Sequence, residues 1–187
     1  MKETLKVIRD RRTTRKFKSE QIKDEELKEI IEAGLYAPSA HNEQSWNFTV
    51  IQNQDFINEL SERTKKVSRS SEVELFRKFG NNEKVHAFFG APTIILVSGK
   101  EGNDMPEVDC AAASENMLIA AEALDIGACW SGSIKILLND KEEFKEVVDR
   151  LKIPEGFNPY HVVALGYKEV KMNNAPARRE NTVQYIK

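Results

Sequence analysis

Residues 91–97 read APTIILV, and the uninterrupted apolar run within them decides the fold class. A run of this length without alternating polar residues predicts a short strand that is central in its sheet and covered on both faces. Residues 46–51 (WNFTVI) and 161–167 (HVVALGY) are similarly rich in β-forming residues and predict two further strands. Four or five helical stretches separate them, so the pattern favours an α/β or α+β sandwich with helices packed on a central sheet.

The helical stretches are recognised by apolar residues at helical spacing and by their end signals. Asp24 is expected to cap one amphipathic helix, and Asn139 is expected to cap the last one. The longest helix is predicted over residues 107–124, with Gly127 closing its C-terminus. Residues 68–90 are charged and interrupted by glycine and asparagine, which predicts a mixed helix and loop segment.

Composition limits the classes to which the chain can belong. Its 187 residues (21.3 kDa) suit one domain spanning residues 1–187. The net charge of −2 disfavours a protein that coats nucleic acid or an anionic membrane. Two cysteines without a CxxC pair indicate a reducing compartment. With no signal-like N-terminus and no apolar run long enough to cross a bilayer, we expect a soluble cytoplasmic protein.

A basic segment over residues 9–18 is the first candidate site. Arg11, Thr13 and Arg15 alternate along it, so an extended backbone would point all three side chains to one side. Two guanidinium groups and a hydroxyl suit a phosphate, which arginine binds in a bidentate manner. Composition alone favours a solvated basic loop at a helix end, and nucleic-acid contact is a third reading that lacks an aromatic platform.

Two neutral loops are further candidates. Residues 37–46 place Ser39, His41, Asn42 and Gln44 between a helix and a strand, where they could hydrogen-bond a ligand or simply form a turn. Residues 130–132 (WSG) allow close backbone approach at the glycine, although a structural turn explains them too.

Groups that could perform catalysis by themselves are missing from the sequence. The three histidines, His41, His86 and His161, have no metal-ligand spacing, and nothing in the sequence places Cys129 beside a histidine. Glycine-rich nucleotide loops are absent as well. This pattern fits a reaction carried by a cofactor that the protein positions and tunes.

Taken in order, these segments resemble the nitroreductase family of FMN-dependent oxidoreductases. Residues 11–17 (RRTTRKF) resemble the R-R-S-x-R-x-F stretch of that family, and residues 37–48 (APSAHNEQSWNF) its A-P-S-x-x-N-x-Q-P-W-x-F loop. The later landmarks are GAP at 90–92, LDIGACWSG at 124–132, ALGY at 164–167 and RRE at 178–180. The resemblance covers nearly the whole chain.

The resemblance implies an α+β fold, in which helices flank a central, mostly antiparallel sheet. It also implies a homodimer that exchanges its C-terminal tails and holds FMN at each subunit interface. The cofactor-binding set is expected to be Arg11, Arg12, Thr13, Arg15, Pro38, Ser39, Asn42, Gln44, Trp130, Ser131, Gly132 and either Arg178 or Arg179. Within it, Arg11 and Thr13 would bind the phosphate, and Arg15 would face the flavin pyrimidine edge. The backbone amides of Ser131 and Gly132 would lie near flavin N5.

Four of these residues, Pro38, Ser39, Asn42 and Gln44, are expected to come from the partner subunit. The loop that carries them departs from the family pattern at Ser45, which stands where proline is usual and is expected to loosen the loop.

The implied activity is ping-pong transfer from NADH or NADPH, through the flavin, to nitroaromatic compounds, quinones or similar small acceptors. A specialised flavin relative is one alternative, acting as a dehalogenase, a flavin-destroying enzyme or an azoline oxidase. A binding module that uses the basic segment on nucleic acid is the other. The chain is short for the family, which leaves little room for a large lid between residues 68 and 90.

Overall fold

A computed structural model describes residues 3–172 and 174–187. Its helices are α1 (Glu3–Asp10), α2 (Asp24–Leu35), α3 (Gln54–Arg69), α4 (Glu74–Asn81), α5 (Pro106–Ala123), α6 (Ile134–Leu138) and α7 (Lys141–Leu151). Its strands are β1 (Trp46–Ile51), β2 (Thr93–Lys100), β3 (Ile126–Ser131) and β4 (Phe157–Tyr167). A 3₁₀ turn covers Ala40–Asn42.

The four strands form one sheet in the order β1-β2-β4-β3, and every pairing between them is antiparallel. Strands β2 and β4 occupy the centre, as the apolar run at 91–97 predicted. Their side chains alternate between two cores, because successive strand residues point to opposite faces. Ile95 and Val97 pack toward α2 and α5, whereas Ile94 and Leu96 pack toward α3, α6 and α7.

The structure corrects four local predictions. Strand β3 was not among the three predicted strands, and Gly127 lies inside it instead of closing α5. Helix α7 is capped by Asp140, whose carboxylate accepts hydrogen bonds from the backbone N–H groups of Glu142 and Glu143, so Asn139 is not its cap. Asp24 is the first helical residue of α2 and makes no cap, because the residue at the cap position is Lys23.

The segment over residues 68–90 is more regular than expected. Helix α3 extends to Arg69, and α4 follows after a short turn. Gly80 lets α4 pack directly on α3, since a Cβ there would lie 2.7 Å from the backbone N of Arg69 and from the carbonyl oxygen of Lys65. The carbonyl oxygen of Gly80 also accepts a 3.0 Å hydrogen bond from Arg69 Nε. Within the described residues, no helix combines the length and the apolar character that crossing a membrane would need.

Candidate active site

From Arg11 onward, the basic segment leaves α1 and runs alongside β3 and the end of β4. Thr13 forms a bridge with Ala128, and the Thr14 N–H donates a 2.9 Å hydrogen bond to the Ala128 carbonyl oxygen. The Thr14 side chain is buried against Gly127, where a Cβ would lie 2.7 Å from the Thr14 methyl carbon. Thr13 and Arg15, on either side of Thr14 in the sequence, are exposed. Burial therefore alternates over Thr13, Thr14 and Arg15, whereas Arg11 and Arg12 are both half-buried, and a common direction for the Arg11, Thr13 and Arg15 side chains stays a prediction.

Arginine side chains in this segment have different surroundings. Arg11 is partly buried, with Nε 3.6 Å from the carboxylate of Glu115 on α5. Arg12 turns back onto the backbone and donates to the carbonyl oxygens of Arg9 (2.6 Å) and Arg11 (2.7 Å). It lines a separate polar cavity of about 350 Å³ with Thr14 and Lys168. The structure thus brings Arg12 to a different cavity from Arg15.

The end of β3 carries a short hydroxyl relay. The Ser131 and Ser133 hydroxyl oxygens are 2.7 Å apart, and the Ser133 hydroxyl donates a 3.2 Å hydrogen bond to the Ala87 carbonyl oxygen. Ser131 Oγ also accepts from the backbone N–H of Ser133 at 3.2 Å. These contacts hold the turn that exposes Gly132. Because both serine hydroxyls are engaged in these contacts, the polar groups that this turn leaves for a ligand belong to the backbone.

Gly132 differs from the packed glycines of the sheet. A Cβ built at Gly132 would meet nothing within 4 Å, whereas one at Gly127 would clash with Thr14. The Gly132 N–H donates no hydrogen bond to any residue in 3–172 or 174–187. No contact inside the described chain therefore requires glycine at position 132. A small residue with a free N–H is the arrangement expected where a ligand approaches the backbone closely.

Arg15 and the β3 turn meet in one large cavity of about 920 Å³, within the size range of small-molecule and cofactor sites. The walls are mainly apolar. The lining residues are Arg15, Leu75, Phe76, Phe79, Val85, Ala87, Phe89, Ser131, Gly132, Ser133, Lys135, Ile136 and Asn139. More than 100 residues separate Arg15 from Gly132 in the sequence, so local motifs alone could not place these groups together.

Two elements that the sequence analysis did not select build the aromatic wall. Helix α4 supplies Phe76 and Phe79, spaced three residues apart on one helix face. Phe89 adopts a left-handed backbone conformation (φ 59°), and its ring centroid lies 5.6 Å from the Arg15 guanidinium carbon. His86 supports this turn, because its Nδ1 accepts a 3.0 Å hydrogen bond from the Phe88 N–H. The phenylalanine spacing in α4 was the one sequence signal that could have indicated this wall.

Trp130 precedes the exposed turn and is itself partly exposed at the surface of β3. Its ring meets the His161 ring edge-on, with centroids 4.8 Å apart. Burial lowers the pKa of His161, which favours the neutral imidazole. Burial likewise raises the pKa of the Cys129 thiol, against an opposing effect of the nearby Arg15. A raised pKa disfavours the thiolate, so Cys129 does not suit a nucleophilic role.

The loop over residues 37–45 is held in a strained shape. His41, Asn42 and Gln44 all have positive φ values between 48° and 56°, which are uncommon for residues other than glycine. Ser39 Oγ accepts a 2.9 Å hydrogen bond from the Gln44 N–H, and Gln44 Nε2 donates to Asn42 Oδ1 at 3.3 Å. These side chains lie together on the loop, together with the exposed Pro38, and none lines the 920 Å³ cavity of the same chain.

Asp109 of α5 anchors this loop and was not selected from the sequence. Its buried carboxylate accepts a 2.9 Å hydrogen bond from the Ala40 N–H and a 2.7 Å hydrogen bond from the Ser45 hydroxyl. The Ser45 carbonyl oxygen also accepts from the Lys100 N–H at 2.8 Å. The expectation that serine loosens the loop is therefore wrong, because the hydroxyl ties the loop to the helix.

The C-terminal tail has no regular structure over residues 174–187, and every residue in this range is exposed. Arg178 and Arg179 belong to it, and the Arg178 side chain donates a 3.3 Å hydrogen bond to the nearby Pro176 carbonyl oxygen. At its apolar end, the side chains of Val183, Tyr185 and Ile186 are all exposed to solvent. Neither arginine lines the cavity that holds Arg15 within the same chain.

Comparison with known proteins identifies the family. The sequence model of the nitroreductase family matches residues 8–167 of this chain. The chain belongs to the nitroreductase family. A putative NADH dehydrogenase/NAD(P)H nitroreductase of Archaeoglobus fulgidus is 34% identical over 167 residues, which cover 89% of this chain and 86% of that protein.

Solved nitroreductases support the same assignment. One from Bacteroides fragilis, crystallised with bound FMN, has a TM-score of 0.92 at 33% identity, with full coverage of both chains. Another with bound FMN, from Desulfitobacterium hafniense, has a TM-score of 0.91 at 28% identity, again over both complete chains. The α+β fold with helices around an antiparallel sheet is thereby confirmed as that of nitroreductases.

Proposed function

We propose that this nitroreductase-family chain is an FMN-dependent NAD(P)H oxidoreductase that acts on nitroaromatic compounds, quinones or similar small acceptors. One observation carries the proposal: Arg15 and Gly132, from opposite halves of the sequence, line the same large apolar cavity. The two solved relatives with bound FMN, and the names of the NAD(P)H-linked relatives, support the choice of cofactor and electron donor.

The residues present fit a flavin mononucleotide. Gly132 leaves open space where a Cβ would stand and presents an N–H without an acceptor in the described chain, as close approach of a ring nitrogen requires. The backbone amides of Ser131 and Gly132 would thus bind at flavin N5. Arg15 would lie at the pyrimidine edge, where a cation stabilises negative charge that builds on the ring.

The phosphate of FMN would be bound at the extended basic segment. Arg11 and Thr13 are the residues proposed for it, because a guanidinium group and a hydroxyl both donate to phosphate oxygens. Either Arg178 or Arg179 would add a further contact from the tail. Arg12, which binds backbone carbonyl oxygens, would support the segment from behind, and Trp130 would border the ring from β3.

When bound, FMN supplies the redox chemistry, accepting a hydride from NADH or NADPH and passing electrons to the acceptor. The contribution of the chain is to bind and orient. The aromatic wall from α4 and Phe89 would exclude water and position flat molecules. The cation of Arg15 would bias the ring electronically, and no side chain is needed as a nucleophile.

We further propose a homodimer in which residues 37–45 and the tail of one subunit complete the cavity of the other. Pro38, Ser39, Asn42 and Gln44 would reach the ligand of the partner, since their own chain leaves them on an exposed loop. The exposed apolar tail end would be covered by the partner in the same way. The single domain would span residues 1–187, and the two free, buried cysteines fit a cytoplasmic protein.

The test starts with the purified full chain. We expect a yellow protein that retains FMN, loses its flavin absorbance when NADH or NADPH is added anaerobically, and regains it with nitroaromatic compounds or quinones. Arg15→Gln should weaken FMN binding, whereas Lys16→Gln, a matched charge removal outside the cavity lining, should not. A colourless protein that refuses added FMN contradicts the proposal. Reaction with a single acceptor from a broad panel would favour a specialised relative.

A further inference from the structure

Lys135 lies one turn beyond the Gly132 backbone and lines the same cavity. Its own N–H donates a 3.1 Å hydrogen bond to the Gly132 carbonyl oxygen, which closes the turn that enters α6. Its ammonium group contacts the carboxylate of Glu107 on α5 and lies 5.8 Å from the Tyr160 ring centroid. Lys135 is therefore held close to the position proposed for the reacting edge of the cofactor, about one helical turn away.

The charged residues that line the cavity are all positive. Among the described residues that line it, two are cations, Arg15 and Lys135, and none is a carboxylate. The remaining surface is largely apolar and aromatic. If Arg15 serves the flavin ring, as proposed above, Lys135 is the positive group that remains for a second molecule. A flat apolar molecule that also carries negative charge matches this combination of walls and charge.

The ion pair with Glu107 leaves Lys135 available to such a molecule. The two side chains are 44% and 51% exposed, so the pair is screened by water and contributes little to stability. An ammonium group has three N–H donors, and one carboxylate oxygen occupies only one of them. The contacts with Glu107 and the Tyr160 ring orient the ammonium group, and Glu107 itself does not line the cavity.

We propose that Lys135 is a specificity-determining residue that selects acceptors carrying an anionic group, such as a carboxylate or sulfonate, on a nitroaromatic or quinone ring. This inference rests on the proposed function, because it assigns the substrate class of the same cavity. The acceptor would lie against the aromatic wall with its reducible group toward Gly132 and its anionic group on Lys135.

The experiment compares two acceptors that differ mainly in charge, 4-nitrobenzoate and 4-nitrobenzyl alcohol, at saturating NADH. Lys135→Gln should raise KM for 4-nitrobenzoate about fivefold to thirtyfold, which corresponds to about 1–2 kcal/mol, and leave KM for the alcohol within about twofold. Lys135→Arg should recover most of the affinity. Calorimetric titration with 2-naphthoate, which needs no turnover, should show the same loss in Lys135→Gln.

Glu107→Gln is the matched control, since it removes the ion pair and keeps the charge of Lys135. It should leave KM for 4-nitrobenzoate unchanged or lower it. The inference is overturned if Glu107→Gln and Lys135→Gln impair both acceptors alike, because Lys135 would then be purely structural. It is also overturned if Lys135→Gln alters only KM for NADH, or if the wild type does not prefer the anionic acceptor. Failure to bind FMN or to reduce the neutral alcohol would instead overturn the proposed function.

Discussion

Replacing Gly132 with alanine tests whether this position contacts a ligand or only other residues of the chain. The added Cβ would meet no atom of the described chain within 4 Å, and the backbone of Gly132 does not require positive φ. The substitution should therefore leave the ligand-free fold intact. The same methyl group would occupy space that we assign to FMN, so binding of the cofactor should suffer.

The substitution should stabilise the ligand-free protein and destabilise the complex with FMN. In the ligand-free protein, Gly132→Ala at a permissive φ should stabilise the fold by about 0.4–1 kcal/mol, because alanine restricts the unfolded chain. In the complex, an extra methyl group in a close contact should cost about 1–3 kcal/mol. That cost corresponds to an FMN dissociation constant roughly 5- to 140-fold higher, at about 1.4 kcal/mol per factor of ten.

The assay combines thermal unfolding of the ligand-free protein with titration of FMN fluorescence. Gly127→Ala is the matched control, since its Cβ would lie 2.7 Å from the Thr14 methyl carbon and should lower stability by about 1–3 kcal/mol. FMN should raise Tm of the wild type more than that of Gly132→Ala, by an amount that follows the difference in binding free energy. An unchanged FMN affinity in Gly132→Ala would refute the assignment of this turn to the ligand.

Three further predictions concern the elements that shape the cavity and its neighbouring loop. Gly80→Ala should lower the free energy of unfolding by about 1–3 kcal/mol and loosen α4 in hydrogen exchange, because its Cβ would clash with the α3 backbone; unchanged protection of α4 would contradict this. Asp109→Ala should lower the free energy of unfolding by about 2–4 kcal/mol and expose residues 37–45 to proteolysis, since two hydrogen bonds are lost. Equal protease resistance in the variant and the wild type would count against this anchoring role. Burial lowers the pKa of His86 from its usual 6.5. The neutral imidazole therefore stabilises the fold fully above pH 6.5, and this stabilisation is lost as the pH falls through the lowered pKa. Urea unfolding between about pH 7.5 and pH 5 should thus show a smaller loss of stability in His86→Gln than in the wild type, and equal losses would exclude this role.

Local sequence patterns predicted most elements but missed those that depend on distant packing. Strand β3 (IGACWS) has small residues and no clear alternation, so nothing in its own sequence distinguishes it from a turn. It is a strand because β4 pairs with it and the Thr14 side chain fills the space above Gly127. Ser45 shows the same dependence, since its effect on the loop is decided by the carboxylate of Asp109, which lies 64 residues away.

Sequence patterns alone determined the apolar centre of the sheet and the amphipathic character of α2 and α7, because each depends on neighbours a few residues apart. The ordered motifs also indicated the family. Only the tertiary structure decided that Arg15, Phe89, Gly132 and Lys135 share one cavity and that Arg12 lies in another. The physical reason is that a cavity is formed where separate elements fail to fill the space between them, and that gap depends on how the whole sheet and its helices pack.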